Sequence, residues 1–135
     1  MRQQGFSFIE IMVVVIIIGI IAAVAFPSYG RYVEQSRRSE ATSALTNVAQ
    51  QMERCYTATA SYQNCIADSA FNAEDRLPTE SRFYEIAVDA PTTNTYTLTA
   101  VRVQADNRNT CGNLTLNHQG RRGVTNTDST VDACW

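Results

Sequence analysis

Apolar residues are gathered at one end of the chain and thinly spread along the rest. From Ile11 to Phe26 every position is apolar or Gly, and Phe6-Ser7-Phe8-Ile9-Glu10 leads into that run. As a helix, residues 6–26 extend about 31 Å at ~1.5 Å per residue, the thickness of a bilayer's hydrocarbon layer. Val13–Ile18 is apolar all round, so no polar face is left for a soluble helix. A secretory signal peptide fits poorly, because the basic region is only Met1-Arg2-Gln3-Gln4 and the apolar run is long. Pro27 would break a soluble helix but is tolerated in membrane helices. Beyond it an amphipathic pattern begins, with Tyr29, Val33, Ala41, Ala44, Leu45, Val48, Ala49, Met52 and Tyr56 at helical spacing. With no Gly or Pro from Arg31 to Cys55, one helix is predicted from about Phe6 to about Cys55.

Residues 57–82 read as a loop, rich in Ser, Thr, Asn, Asp and Ala and interrupted at Leu77-Pro78. Three strands follow. Phe83–Asp89 alternates through Tyr84, Ile86 and Val88. Thr95–Gln104 starts with Tyr96, Leu98 and Ala100 inward and then changes phase to Val101 and Val103, which suggests a bulge or a twist. Cys111–Asn117 alternates through Leu114 and Leu116, and Asn117-His118-Gln119-Gly120 turns the chain. Arg121–Trp135 shows no pattern and reads as a structureless tail. The expected fold is α+β: a long N-terminal helix, membrane-spanning in its first half and amphipathic in its second, packed against three or four antiparallel strands.

Composition closes off most chemistry. All 11 basic residues are Arg, which excludes a P-loop lysine and a Schiff-base lysine. His118, the only His, sits in a polar turn and reads as exposed. Asp128 and Asp132 form no calcium loop, and no cofactor or metal site and no enzyme constellation is found. The net charge of −2 gives no general pull toward nucleic acid, and Arg121-Arg122 is only a small basic spot. Glu34, Arg37, Arg38 and Glu40 read as a solvated helix face. The four cysteines, Cys55, Cys65, Cys111 and Cys134, suggest two disulfides in an oxidising compartment, and three pairings are open.

Glu10 stands out. A carboxylate within an apolar span costs about 2.5–3.5 kcal/mol and calls for a partner. No basic residue lies between Arg2 and Arg31. Glu10 therefore either reaches the interface or pairs with a cation from another chain.

Gly5-Phe6-Ser7-Phe8-Ile9-Glu10, the apolar run and Pro27-Ser28-Tyr29 together resemble the N-terminus of type IV pilins. The family wording more often has Thr-Leu at Ser7-Phe8. The resemblance implies that a prepilin peptidase cuts between Gly5 and Phe6, that Phe6 is then N-methylated, and that Glu10 pairs with the terminal amine of a neighbouring subunit. The short leader, residues 1–5, resembles the type IVa class. Residues 6–30 would be the membrane and filament-core helix, and residues 31–135 a periplasmic, later extracellular, globular domain. Cys111–Cys134 resembles the pilin C-terminal disulfide loop and would staple the tail to the third strand, Cys55–Cys65 would close a short loop onto the helix end, and Trp135 would pack the C-terminal loop onto the sheet. The implied protein is a structural pilus subunit, in size and cysteine content more like a minor pilin. It would be held in the inner membrane among lipid and moved into the filament by the assembly machinery with other pilins. Two relatives of this type are rivals: a type II secretion pseudopilin and a DNA-binding competence pilin.

Overall fold

The computed structural model describes residues 6–68, 76–89, 91–104 and 110–135. Helix α1 runs Phe8–Thr59, through Pro27 without a break. Helix α2 is Tyr62–Asp68, and strands β1 to β5 are Leu77–Pro78, Tyr84–Asp89, Thr97–Arg102, Leu114–Asn117 and Arg122–Val124. A last turn of helix, α3, is Val131–Cys134. The strands form one antiparallel sheet in sequence order, so each strand pairs with the next along the chain.

The chain divides into two compact units between Val33 and Glu34. In the first, the α1 side chains from Phe8 to Val24 have no core to enter; Ile9, Val15, Ile16, Ile18, Ile20, Ile21 and Val24 are all exposed. Among the described residues α1 is the one helix long and apolar enough to cross a membrane. In the second unit, Ala41, Leu45, Val48 and Met52 of α1 form a buried stripe. The stripe joins one core with Tyr84, Ile86 and Val88 of β2, Leu98 and Ala100 of β3, and Leu114 and Leu116 of β4. The helical period and the strand alternation thus supply the two apolar faces that bury each other.

The expected α+β architecture is present, with corrections. The sheet has five strands rather than three or four. The 57–82 loop contains α2 and β1, and the 121–135 tail contains β5 and α3. All four elements are short, and short elements draw their stability from tertiary contacts. For α2 those contacts are the burial of Tyr62, Cys65 and Ile66 and the Cys55–Cys65 disulfide. For the tail they are the Cys111–Cys134 disulfide and the Trp135 indole, whose Nε1 donates to the Gly123 carbonyl at 3.1 Å. Gly112 allows β5 to come close. Its φ is +70°, and a Cβ there would lie 2.5 Å from Thr125 Oγ1.

The predicted phase change in β3 is absent. Pairing with β2 is regular from Asp89↔Thr97 to Tyr84↔Arg102. Val101 and Val103 stay off the inward face, and Arg102 takes the inward position after Ala100.

Cys134→Ser is expected to release α3 and β5 to proteolysis while α1 and strands β2 to β4 persist. The disulfide closes a separation of 23 residues around a segment that buries few apolar side chains. Limited proteolysis with alkylation mapping checks this. Cys111 should become alkylatable and Cys55 and Cys65 should stay protected.

Candidate functional site

At the N-terminal end, the Ser7 carbonyl accepts from the Glu10 and Ile11 amides at 3.0 and 3.3 Å, which starts α1. Phe6 precedes the helix and is 80% exposed. Glu10 lies in the first turn of α1, where a carboxylate is favoured by the helix dipole. Its side chain is exposed and makes no ion pair with any described residue. Gly5, the other half of the expected cleavage junction, lies outside the described residues.

The solvated face expected at Glu34, Arg37, Arg38 and Glu40 is overturned residue by residue. Glu34 is 6% exposed. It receives both ends of a guanidinium, Arg102 Nη1 at 2.5 Å and Nη2 at 3.0 Å. Arg102 Nη1 also donates to the Tyr84 hydroxyl at 3.4 Å. The hydrogen-bonded Glu34 carboxylate holds the Arg102 guanidinium above its ordinary range, against the opposing effect of burial. Arg37 lies over the Phe83 ring at 3.4 Å. Arg38 Nη1 donates to Cys111 Sγ at 3.1 Å and to the Ala133 carbonyl at 3.2 Å. Glu40 accepts from the Ser81 amide at 2.7 Å and the Ser81 hydroxyl at 2.5 Å. Burial alone would raise the Glu40 carboxyl, but these Ser81 bonds bring it below its usual value. Four charged side chains therefore pin α1 to the sheet and to the C-terminal segment.

The sequence contains two signals for the buried pair. Glu34 lies seven residues before Ala41 on the same helical stripe, and Arg102 shares the parity of Tyr96, Leu98 and Ala100. Two charges of opposite sign at inward positions on facing elements indicate a pair.

At the other end of the core, Glu53 accepts from the Tyr62 hydroxyl at 3.0 Å and the Tyr96 hydroxyl at 3.1 Å. Tyr56 stacks on Tyr62 with centroids 4.3 Å apart, and Tyr62 meets Tyr96 edge-on at 4.7 Å. His118 is half-buried rather than exposed, with its ring 6.4 Å from that of Tyr96. Burial, joined by the hydrogen bond to Glu53 and its charge, pushes the Tyr62 phenol up to about 12 and raises Tyr96 likewise. The raised values favour the protonated, folded form. Their stabilisation is complete below the ordinary tyrosine value of 10.0 and lost as pH rises through about 12. Denaturant unfolding at a series of alkaline pH values should show stability falling across that window. Glu53→Gln should move tyrosinate formation to lower pH.

Arg121 and Arg122 are both exposed where β5 begins. Asp128 and Asp132 are exposed as well, and among the described residues no group of His, Cys, Asp or Glu is placed to hold a metal.

An exposed apolar helix with a carboxylate in its first turn, continuous with the helix of an α+β domain, defines a type IV pilin. Residues 1–26 match the prokaryotic N-terminal methylation motif. Residues 27–115 match the family described as type IV minor pilin ComP, DNA uptake sequence receptor, and the chain belongs to that family. Fimbrial protein EcpC of Eikenella corrodens is 56% identical over 39 residues, 29% of this chain and 26% of that protein. Type IV major fimbrial protein FimA of Dichelobacter nodosus is 43% identical over 53 residues, 39% of this chain and 34% of that protein. The chain thus spans about a quarter to a third of the length of these curated relatives. The non-core minor pilin PilV of Neisseria meningitidis shares the fold at 22% identity. The TM-score is 0.53, and the match covers 74% of this chain and 94% of that one.

Proposed function

We propose that this chain is a minor subunit of a type IV pilus. The observation that carries the reading is the stretch of α1 from Phe8 to Val24, apolar and lacking a core to enter, with Glu10 in its first turn and no ion-pair partner for it among the described residues. Such a helix needs lipid or other helices around it, and a family of filament subunits supplies both in turn. Residues 1–5 are a leader that prepilin peptidase removes at Gly5-Phe6, and Phe6 is then methylated. Residues 6–30 span the inner membrane until the assembly machinery transfers them to the filament core. There Glu10 accepts the amine of a neighbour's Phe6, and residues 31–135 form the outward-facing domain of the extracellular pilus. The role is structural and calls for no catalysis and no cofactor. Immunogold labelling of sheared filaments, quantified against the dominant subunit, tests it. Sparse labelling along the filament is expected, and its absence refutes the reading.

A second reading is favoured by the family description, which names a DNA uptake sequence receptor. On this reading the filament subunit also meets DNA, with Arg121 and Arg122 as exposed phosphate contacts. Reversing both charges should then lower DNA binding and flatten its loss with salt. Unchanged binding would remove these two residues from the interface.

A further inference from the structure

A cleft runs between the second-unit part of α1 and the C-terminal segment, in two adjoining parts that share Thr42 and Trp135. One part, about 290 Å³, is lined by Gln35, Arg38 and Ser39 together with the shared pair. The other, about 330 Å³, is lined by Ser43, Asn47 and Arg122 with the same pair. No Asp or Glu side chain lines either part.

Arg38 carries the unusual chemistry. Among the described residues its Nη1 bonds the neutral Cys111 Sγ and Ala133 carbonyl. Its Nε is buried and makes no hydrogen bond. The nearby Glu34 is occupied at both oxygens by Arg102, so it offers no counter-charge. A partly buried guanidinium facing neutral acceptors is costly and favours an anion within reach. Arg122 sits at the rim with its guanidinium 5.1 Å from the centre of the Trp135 ring. Stacking of that kind leaves the N–H edge free to bind.

The remaining wall is rich in donors. Thr42 and Thr46 spend their hydroxyl protons on the Ser39 and Thr42 carbonyls. That leaves the Ser39 and Ser43 hydroxyls and the Gln35 and Asn47 amides. A ligand that only accepts, carries negative charge and presents more than two oxygens fits this set. We propose that the cleft binds a phosphate group, free or as a phosphomonoester, with Arg38 as the inner cation and Arg122 at the rim. The proposal does not rest on the filament reading, since an unassembled subunit has the same cleft.

Trp135 lines both parts and is the only Trp in the chain, so its fluorescence reports on the site. The experiment titrates inorganic phosphate into the full chain in nonionic detergent, with ionic strength held constant by chloride. A saturable change is expected. Arg38→Gln should raise the half-saturating concentration about tenfold, the loss of one charge-assisted partner. Arg122→Gln should raise it several-fold, and Arg54→Gln, exposed and outside the cleft lining, should leave it unchanged. If Arg38→Gln fails to fold, the contrast between Arg122→Gln and Arg54→Gln decides. Glycerol 3-phosphate compared with inorganic phosphate separates an ester from the free ion, and saturation by either supports the site. No saturation, an equal response to chloride, equal binding of acetate, or equal effects of Arg54→Gln and Arg122→Gln would overturn it.

Discussion

Glu34→Ala is expected to cost about 3–5 kcal/mol of folding stability, because it leaves the Arg102 guanidinium buried without its counter-charge. The side chains of the pair are 4% and 8% exposed, so solvent does little to screen the loss. Both hydrogen bonds of the fork disappear together, and the Tyr84 hydroxyl and Gln104 carbonyl that Arg102 also meets are neutral. Arg102→Met should cost a similar amount by stranding the carboxylate. The double variant Glu34→Leu, Arg102→Met should recover most of the loss, since a well-packed apolar pair often replaces a buried ion pair without cost. Thermal unfolding of the wild type and the three variants makes the comparison. If Glu34→Ala costs less than about 1 kcal/mol, as at an exposed pair, the pair is not what ties α1 to β3.

Glu10→Ala is expected to abolish incorporation into filaments while leaving subunit levels in the membrane unchanged. The carboxylate has no partner among the described residues of its own chain, so its removal costs the fold nothing there. In an assembled core the same carboxylate would compensate a neighbour's amine. Stranding that amine costs about 3–5 kcal/mol, a factor of a hundred or more in incorporation. Immunoblots of membranes and of sheared filaments make the comparison. Equal incorporation would show that Glu10 only reaches the interface.

The elements that could be read from the sequence are those whose period repeats often enough to be seen. The α1 stripe through Ala41, Leu45, Val48 and Met52 and the alternation in β2, β3 and β4 are of this kind. The elements missed are two to seven residues long, too short to show a period. Their order comes from disulfides and from contacts with residues distant in sequence. The charged residues were misread for a related reason. Glu34, Arg37, Arg38 and Glu40 have helix-spaced neighbours of opposite charge, which suggests pairing along the helix surface. Their partners in the structure are Arg102, Phe83, Cys111 and Ser81, each more than forty residues away. At the N-terminus the legible features were chemical rather than periodic. Glu10 was singled out by an apolar run that contains one carboxylate and no cation, and Phe6 by the resemblance of Gly5-Phe6 to the type IV pilin junction. The Arg38 cleft had no sequence signal, because Gln35–Asn47 and Arg122–Trp135 meet only after the sheet and the C-terminal disulfide have formed.

The intact mass of the protein recovered from sheared filaments tests the central proposal most directly. The mass expected is that of residues 6–135 plus one methyl group, less the four hydrogens lost to the Cys55–Cys65 and Cys111–Cys134 disulfides. A protein that still carries Met1, that begins near Phe26, or that is found in membranes and never in filaments would contradict it.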